Sequence, residues 1–454
     1  MGYLSRKICV LFSAVIWYNN HYYVIKSEEK MSIKRSFAKY VSLNILGMTA
    51  LSLYILADTY FVAQGVGSDG LAALNIAIPV FSLIVGTGLM IGMGGATRFS
   101  ISRTDTIFTR ALCFGVIASA VYFICGITIP GQISSLLGAE GEVFELTRIY
   151  IQILLLFSPM FIFNNIVTCF VRNDGDPKLS MTATVLGTIT NIIFDYILVF
   201  PLQLGITGAV LATGFSPLVS LLILSVHFFK KSNTLKLKKV FLTPRALKDI
   251  ITLGISSLIT ELSSGIVILI FNMIILNIEG NLGVAAYGII ANIAIVVNAI
   301  FTGIAQGSQP IISRSYGEGN GGDAKKILKY GIITALVFSA AVYAVTFIFA
   351  EPIVKAFDNE NNQRLLEIAA VGMRLYFISI FFSGVNVLCA SYFSSIDRPT
   401  NGFIISVSRG VGVIIPTAFL LAYLLGLNGV WLSIAVSEFI VCVLSVVLLK
   451  KKNI

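Results

Sequence analysis

The chain has 454 residues, 56% of them hydrophobic and only 12% charged, with a mean hydropathy of +0.90. Water-soluble proteins carry about a quarter of their residues as charges, so this composition excludes a soluble globular protein and leaves lipid as the solvent. A net charge of +10 could suggest a nucleic-acid partner, but here Lys and Arg gather in short loops, where they orient a membrane protein and argue against nucleic acid.

The first 30 residues hold an apolar run at 8–17 that is too short to span a bilayer, preceded by Arg6 and Lys7. Residues 1–30 are expected to be a dispensable extension, with Met31 as an alternative start. Apolar windows then fall at 41–62, 71–95, 107–130, 146–171, 179–200 and 206–229. A basic linker occupies 230–249. Six more windows follow at 250–277, 283–305, 327–349, 368–395, 403–425 and 428–449. Each is near the ~20 residues that a helical crossing needs. The expected fold is therefore an all-α membrane protein of twelve transmembrane helices.

Loop charge alternates along this frame. Arg98, Arg103 and Arg110 share one loop region, Arg172 and Lys178 another, and Lys230 to Lys248 the linker, while the loops at 64–70, 131–145, 201–205, 277–282 and 426–429 hold no Lys or Arg. Only 350–367 is mixed. The positive-inside rule then puts both termini and the linker in the cytoplasm of a multi-pass protein of the cell membrane.

The halves repeat. Gly70-Leu-Ala-Ala-Leu74 returns as Gly283-Val-Ala-Ala-Tyr287, and each copy runs on to Ile-Ser-Arg, ending at Arg103 and Arg314. Asp176-Pro177 answers Arg398-Pro399, and Gly205-Ile-Thr-Gly208 answers Gly426-Leu-Asn-Gly429. Six spans per unit is an even number, so the units enter the membrane the same way up. Two parallel-repeat lobes, 31–229 and 250–454, are expected around a central cavity.

An acid in mid-membrane costs about 3 kcal/mol, so each one needs a reason. Four fall inside spans: Asp58, Asp195, Glu261 and Glu438. Asp58 and Asp195 lie about one turn from the outer ends of spans 1 and 5. Asn191 shares a helix face with Asp195, and Thr213 enters span 6 from the same side. The four form a candidate ion- or proton-coupling pocket. Their repeat counterparts include Phe271, Gly412 and Pro416, so the second half keeps the frame without the polar groups. The alternative role for each acid is a buried tie between helices. Arg409 and Glu438, at similar depth in spans 11 and 12, are expected to pair with each other.

Several motifs resemble the multidrug and toxic compound extrusion family. They are Ala57-Asp-Thr-Tyr-Phe-Val-Ala63 leading to Leu71-Ala-Ala-Leu74, Arg172-Asn-Asp-Gly-Asp-Pro-Lys178, Asn191-Ile-Ile-Phe-Asp195, Leu204-Gly-Ile-Thr-Gly-Ala209 and Gly303-Ile-Ala-Gln-Gly-Ser-Gln-Pro310. The resemblance implies export of cationic or amphipathic small molecules in exchange for H⁺ or Na⁺, with no cofactor. It also implies that Asp58, Asn191, Asp195 and Thr213 line the N-terminal lobe's cation or proton site. Some members use a Glu at the position of Glu261 together with an Asp in span 10. This chain offers Ser383 and Asn386 there instead, so span 10 brings no acid to Glu261 for a second-lobe Na⁺ site. A flippase for lipid-linked precursors shares the frame, but Arg409 is the one clear mid-span cation for a pyrophosphate. No nucleophile–base pair or metal motif marks an enzyme. A monomer in the bilayer is the expected form.

Overall fold

A computed structural model describes residues 32–357 and 362–451. The expected 1–30 extension lies outside the described residues. All regular structure among the described residues is helical. In the first half α1 (Ile33–Gly65), α2 (Ser68–Ser102), α3 (Thr106–Thr128), α4 (Pro130–Leu136), α5 (Gly141–Leu156), α6 (Ser158–Asn173), α7 (Pro177–Val199) and α8 (Gly205–Ser225) run in order. The second half holds α9 (Pro244–Gly317), α10 (Gly321–Ile348), α11 (Ala350–Phe357), α12 (Gln363–Tyr376), α13 (Ile380–Ser395), α14 (Pro399–Val407), α15 (Ile414–Leu425) and α16 (Leu427–Lys450). Polar caps set several starts. Asp176 accepts from the Leu179 N–H and Thr243 from the Ala246 N–H, each with a proline in the first turn, where its missing donor costs nothing.

Ten helices among the described residues are long and apolar enough to cross a membrane. An eleventh crossing arises if α5 and α6, which meet at 47°, form one span. The sequence window at 146–171 anticipates a single helix here. The bend falls where Pro159 opens α6, since proline breaks the backbone hydrogen-bond ladder. The 74-residue α9 is not one straight rod: Gly280 interrupts it at φ 70° and ψ −158°, a conformation that only glycine adopts without strain. The windows at 250–277 and 283–305 lie on either side of that break. The loops anticipated at 131–145 and 350–367 contain the short helices α4 and α11, both far below spanning length.

Buried apolar side chains form two clusters. One runs from Val62 to Ile250, and the other covers the second half from Phe271 to Val441 with Phe37 and Val41 added from the start of α1. The halves meet where α9 packs on α1 and α2. That contact is tightest at one end of the molecule, because glycines let backbones touch. A Cβ on Gly94 would strike the Ile250 carbonyl, and one on Gly254 the Met90 carbonyl. Gly303 lies against the Ile45 backbone and Gly307 against Tyr40 and Val41. All of these positions neighbour the basic loops.

At that same end the linker is clasped to the first half. His227 is buried between two acids, Nε2 2.8 Å from Asp174 Oδ2 and Nδ1 3.3 Å from Asp176 Oδ2. Lys230 Nζ reaches Asp176 at 2.5 Å, and Thr234 donates its backbone N–H and its hydroxyl to Asp174. Burial alone would push the Asp176 carboxyl up, but the hydrogen bonds from His227 and Lys230 outweigh it and hold the group at about 2.

Candidate functional site

The four polar residues singled out from the sequence converge. Asp58 comes from α1, Asn191 and Asp195 from α7 and Thr213 from α8, and α7 packs against both of the other helices. Asp58 is 8% exposed and Asp195 fully buried, and the two carboxylates are near enough for their charges to interact. The neighbours dictate how the Asn191 amide is turned. With its nitrogen toward Asp195 it donates to Oδ2 at 3.2 Å, and its oxygen accepts the Thr213 backbone N–H at 3.3 Å. Tyr54 and Tyr150 stand beside both acids, within reach of their charge.

Hydrogen bonding within this pocket is incomplete. Asp58 Oδ1 and Asp195 Oδ1 are both buried without a hydrogen-bond partner, and the Thr213 hydroxyl lies beside the Tyr150 hydroxyl. Carboxylate oxygens without partners are costly in a low-dielectric interior, and this pocket holds two of them. Hard oxygen donors suit a proton or a hard cation. Among the described residues no group of three or more His, Cys, Asp or Glu side chains is placed to hold a metal ion.

A second constellation occupies the other half. Arg409 Nε donates to Glu438 Oε1 at 2.6 Å, the pairing anticipated from their depths. Ser383 and Asn386, the span 10 residues considered as partners for Glu261, belong to this pair instead. Arg409 Nη2 donates to Ser383 Oγ at 2.7 Å, and Asn386 Nδ2 donates to Glu438 Oε2 at 2.7 Å. Glu261 faces the cleft between the halves, and no described side chain hydrogen-bonds to its carboxylate.

That cleft also contains residues the sequence reading left unassigned. Thr97, Gln306 and Gln309 line it and also tie the halves together. Gln309 Nε2 donates to Thr97 Oγ1 at 2.8 Å, and Asn173 Nδ2 donates to Gln309 Oε1 at 3.1 Å. Arg172, expected among loop cations, is only 2% exposed: its Nη1 donates to Asn44 and to Gln306 Oε1, each at 2.8 Å. Helix packing of the two halves covers it, and no carboxylate pairs with it among the described residues. Two glutamines inside the apolar run 301–312 were the available signal for this lining. Arg98 and Asp397 add an ion pair between the halves at 3.1 Å.

Comparisons with known proteins agree on the frame. The MatE family model matches residues 44–197 and 256–420. A multidrug export protein MepA from Staphylococcus saprophyticus is 26% identical over 430 residues, which cover 93% of this chain and 94% of that protein. MepA from Staphylococcus aureus is 25% identical over the same extent. A solved outward-facing conformation of a multidrug resistance MATE family transporter of the MOP superfamily superimposes with a TM-score of 0.83 at 25% identity, covering 92% of this chain and 95% of that one. A crystal structure of MATE in complex with MaL6 reaches a TM-score of 0.87 at 24% identity over 92% and 96% of the two chains, and speaks to the fold alone.

Proposed function

Because the chain belongs to the MatE family of multidrug and toxic compound extrusion transporters, we propose that it exports cationic or amphipathic small molecules from the cell by exchange for H⁺ or Na⁺. The observation that carries this reading is the pocket of two buried carboxylates, each with an unpartnered oxygen, at the α1–α7–α8 junction. Like charges held close in low dielectric favour uptake of a proton or a cation. In this reading Asp58 and Asp195 bind the coupling ion, Asn191 orients Asp195, and Thr213 supplies a neutral oxygen. Occupancy neutralises the pair and favours a different packing of α1 against α7 and α8. Substrate then leaves on the outer side as the ion enters. The halves act as lobes that rock about the cleft. Their tight contact beside the basic loops corresponds to a closed cytoplasmic end.

Proteoliposomes with ΔpH and a Na⁺ gradient imposed separately test the coupling. Export of a quaternary aromatic dye is expected to require one of the two gradients. Equal transport with neither would remove the antiport reading.

Membrane orientation has its own check. Ser68, Ser135 and Ser232 are exposed, whereas Ser134 is buried and unsuited to labelling. Cysteines at 68 and 135 are expected to react with an impermeant reagent added outside intact cells, and one at 232 is not. Labelling at 232 would invert the topology. Deleting residues 1–30 is expected to leave insertion and transport intact, and loss of membrane insertion in that variant would refute their dispensability.

A further inference from the structure

The linker between the halves presents a surface that neither the coupling pocket nor the cleft uses. Residues 233–243 form no regular structure and connect the last crossing of the first half to α9. Leu235, 3% exposed, plugs into the apolar cluster of the first half. Beside it the Thr109 hydroxyl donates to the Lys236 carbonyl at 3.4 Å and accepts the Lys238 N–H at 3.1 Å. Lys238 Nζ meets Asp105 at 2.5 Å, so the linker is tied at Asp105 as well as at Asp174 and Asp176. An irregular segment held at several points keeps a defined outer face.

That face combines two kinds of side chain that find no partner within the protein. Lys236, Lys239, Arg245 and Lys248 are exposed and form no ion pair with any described residue. The one acid in 230–249 is Asp249. Interleaved with these cations stand Phe229, Leu237 and Phe241, which are 87%, 73% and 89% exposed. Large apolar side chains clustered in a basic loop are costly in water and mark a contact surface. Both ends of the linker lie where a crossing meets the aqueous phase. Phe229 closes the span Gly205–Phe229, and Phe241 shortly precedes Pro244 at the start of α9. At that depth an aromatic ring can enter the acyl boundary while a lysine stem extends to the phosphates.

Charge complementarity identifies the occupant. Loop charge puts the linker on the cytoplasmic side, and the surface of that leaflet is negative. A soluble anion would meet the cations alone, whereas a lipid meets both the cations and the apolar side chains. We propose that the linker is a docking surface for anionic phospholipids of the cytoplasmic leaflet. Lys236, Lys239, Arg245 and Lys248 receive the headgroup phosphates, and Phe229, Leu237 and Phe241 enter the acyl boundary. The ties at Asp105, Asp174 and Asp176 reduce the chain entropy lost when the linker settles on lipid. This docking goes beyond the export reading and stands whether or not a substrate is carried.

The full chain in detergent is given equimolar phosphatidylglycerol and phosphatidylcholine, and the lipids retained are counted by native mass spectrometry. Phosphatidylglycerol should be retained roughly ten-fold over phosphatidylcholine at low salt, with the preference falling as salt rises. Lys236→Gln, Lys239→Gln, Arg245→Gln and Lys248→Gln together should bring the ratio near one. Lys230, Lys231 and Lys238 remain in that variant, so the linker keeps cations for orientation. Lys239→Gln with Lys248→Gln is the milder change and should give an intermediate ratio. The control replaces four exposed cations of other basic segments, Lys325, Lys329, Lys450 and Lys451, with Gln and should keep the wild-type ratio. Equal retention of both lipids by the wild-type chain overturns the docking surface, as does a four-fold linker variant that keeps the preference. A control variant that loses the preference to the same extent also overturns it, because the attraction then belongs to the whole face. Displacement of phosphatidylglycerol by inorganic phosphate or a short RNA at matched ionic strength would assign the cations to a soluble anion, and lipid docking would fall.

Discussion

Asp58→Asn and Asp195→Asn are each expected to reduce gradient-driven export to the rate seen without a gradient, while leaving expression and membrane insertion unchanged. Asparagine nearly matches aspartate in size, so the packing of α1 on α7 is preserved. What disappears is a charge that a proton or cation can neutralise. In either variant the remaining carboxylate no longer faces a like charge, and its affinity for a neutralising partner drops. The pocket then has little to gain from ion entry, and a ligand that binds two conformations equally shifts neither. Substrate binding should weaken only partly, because the cleft walls remain. Asn191→Ala should be milder than either acid variant, since it removes an orienting hydrogen bond and no charge. The readout is dye efflux from proteoliposomes under an imposed gradient, with binding measured in parallel. Wild-type efflux in both aspartate variants would return these acids to the role of ties between helices.

The second large effect is expected from a single methyl group. Gly254→Ala places a Cβ against the Met90 carbonyl, and Gly94→Ala places one against the Ile250 carbonyl. Both obstacles are helix backbone, which cannot rotate aside as a side chain can. Overpacking of this kind typically costs roughly 1–3 kcal/mol, which shifts a two-state equilibrium by a factor between about 5 and about 150. The cost is confined to the state in which α2 and α9 touch. Either variant should therefore favour an open cytoplasmic end, expose the Thr97–Gln309 contact to reagents from that side, and slow export. Gly288→Ala is the control, because its Cβ would meet nothing within 4 Å. A cysteine at position 306 reports the opening through labelling in inverted vesicles. Unchanged labelling in Gly254→Ala, with export at the wild-type rate, would mean that this glycine contact does not limit closure.

Much of the architecture was open to reading in the linear chain. Membrane residence follows from composition, and the apolar windows follow from segment length, because a bilayer imposes one thickness on every helix that crosses it. Loop charge suggested the orientation, and the repeats suggested two halves. Asp58, Asn191, Asp195 and Thr213 stood out because an acid or amide in an apolar span has few inexpensive explanations. The same depth reasoning anticipated the Arg409–Glu438 pair.

Tertiary structure alone decided which neighbours these groups meet. Arg172 reads as a loop cation in sequence, yet packing buries it against Asn44 and Gln306, residues more than a hundred positions away. Ser383 and Asn386 were weighed as partners for Glu261, and the packing of α13 against α16 delivers them to Arg409 and Glu438 instead. The unpartnered hydroxyls of Ser256 and Ser394 belong to different helices and share a cavity only after folding. The reason is physical. Hydropathy and charge are local properties that the solvent reads segment by segment, whereas a hydrogen bond or a glycine contact depends on the rotation and crossing of two helices, which their joint packing sets.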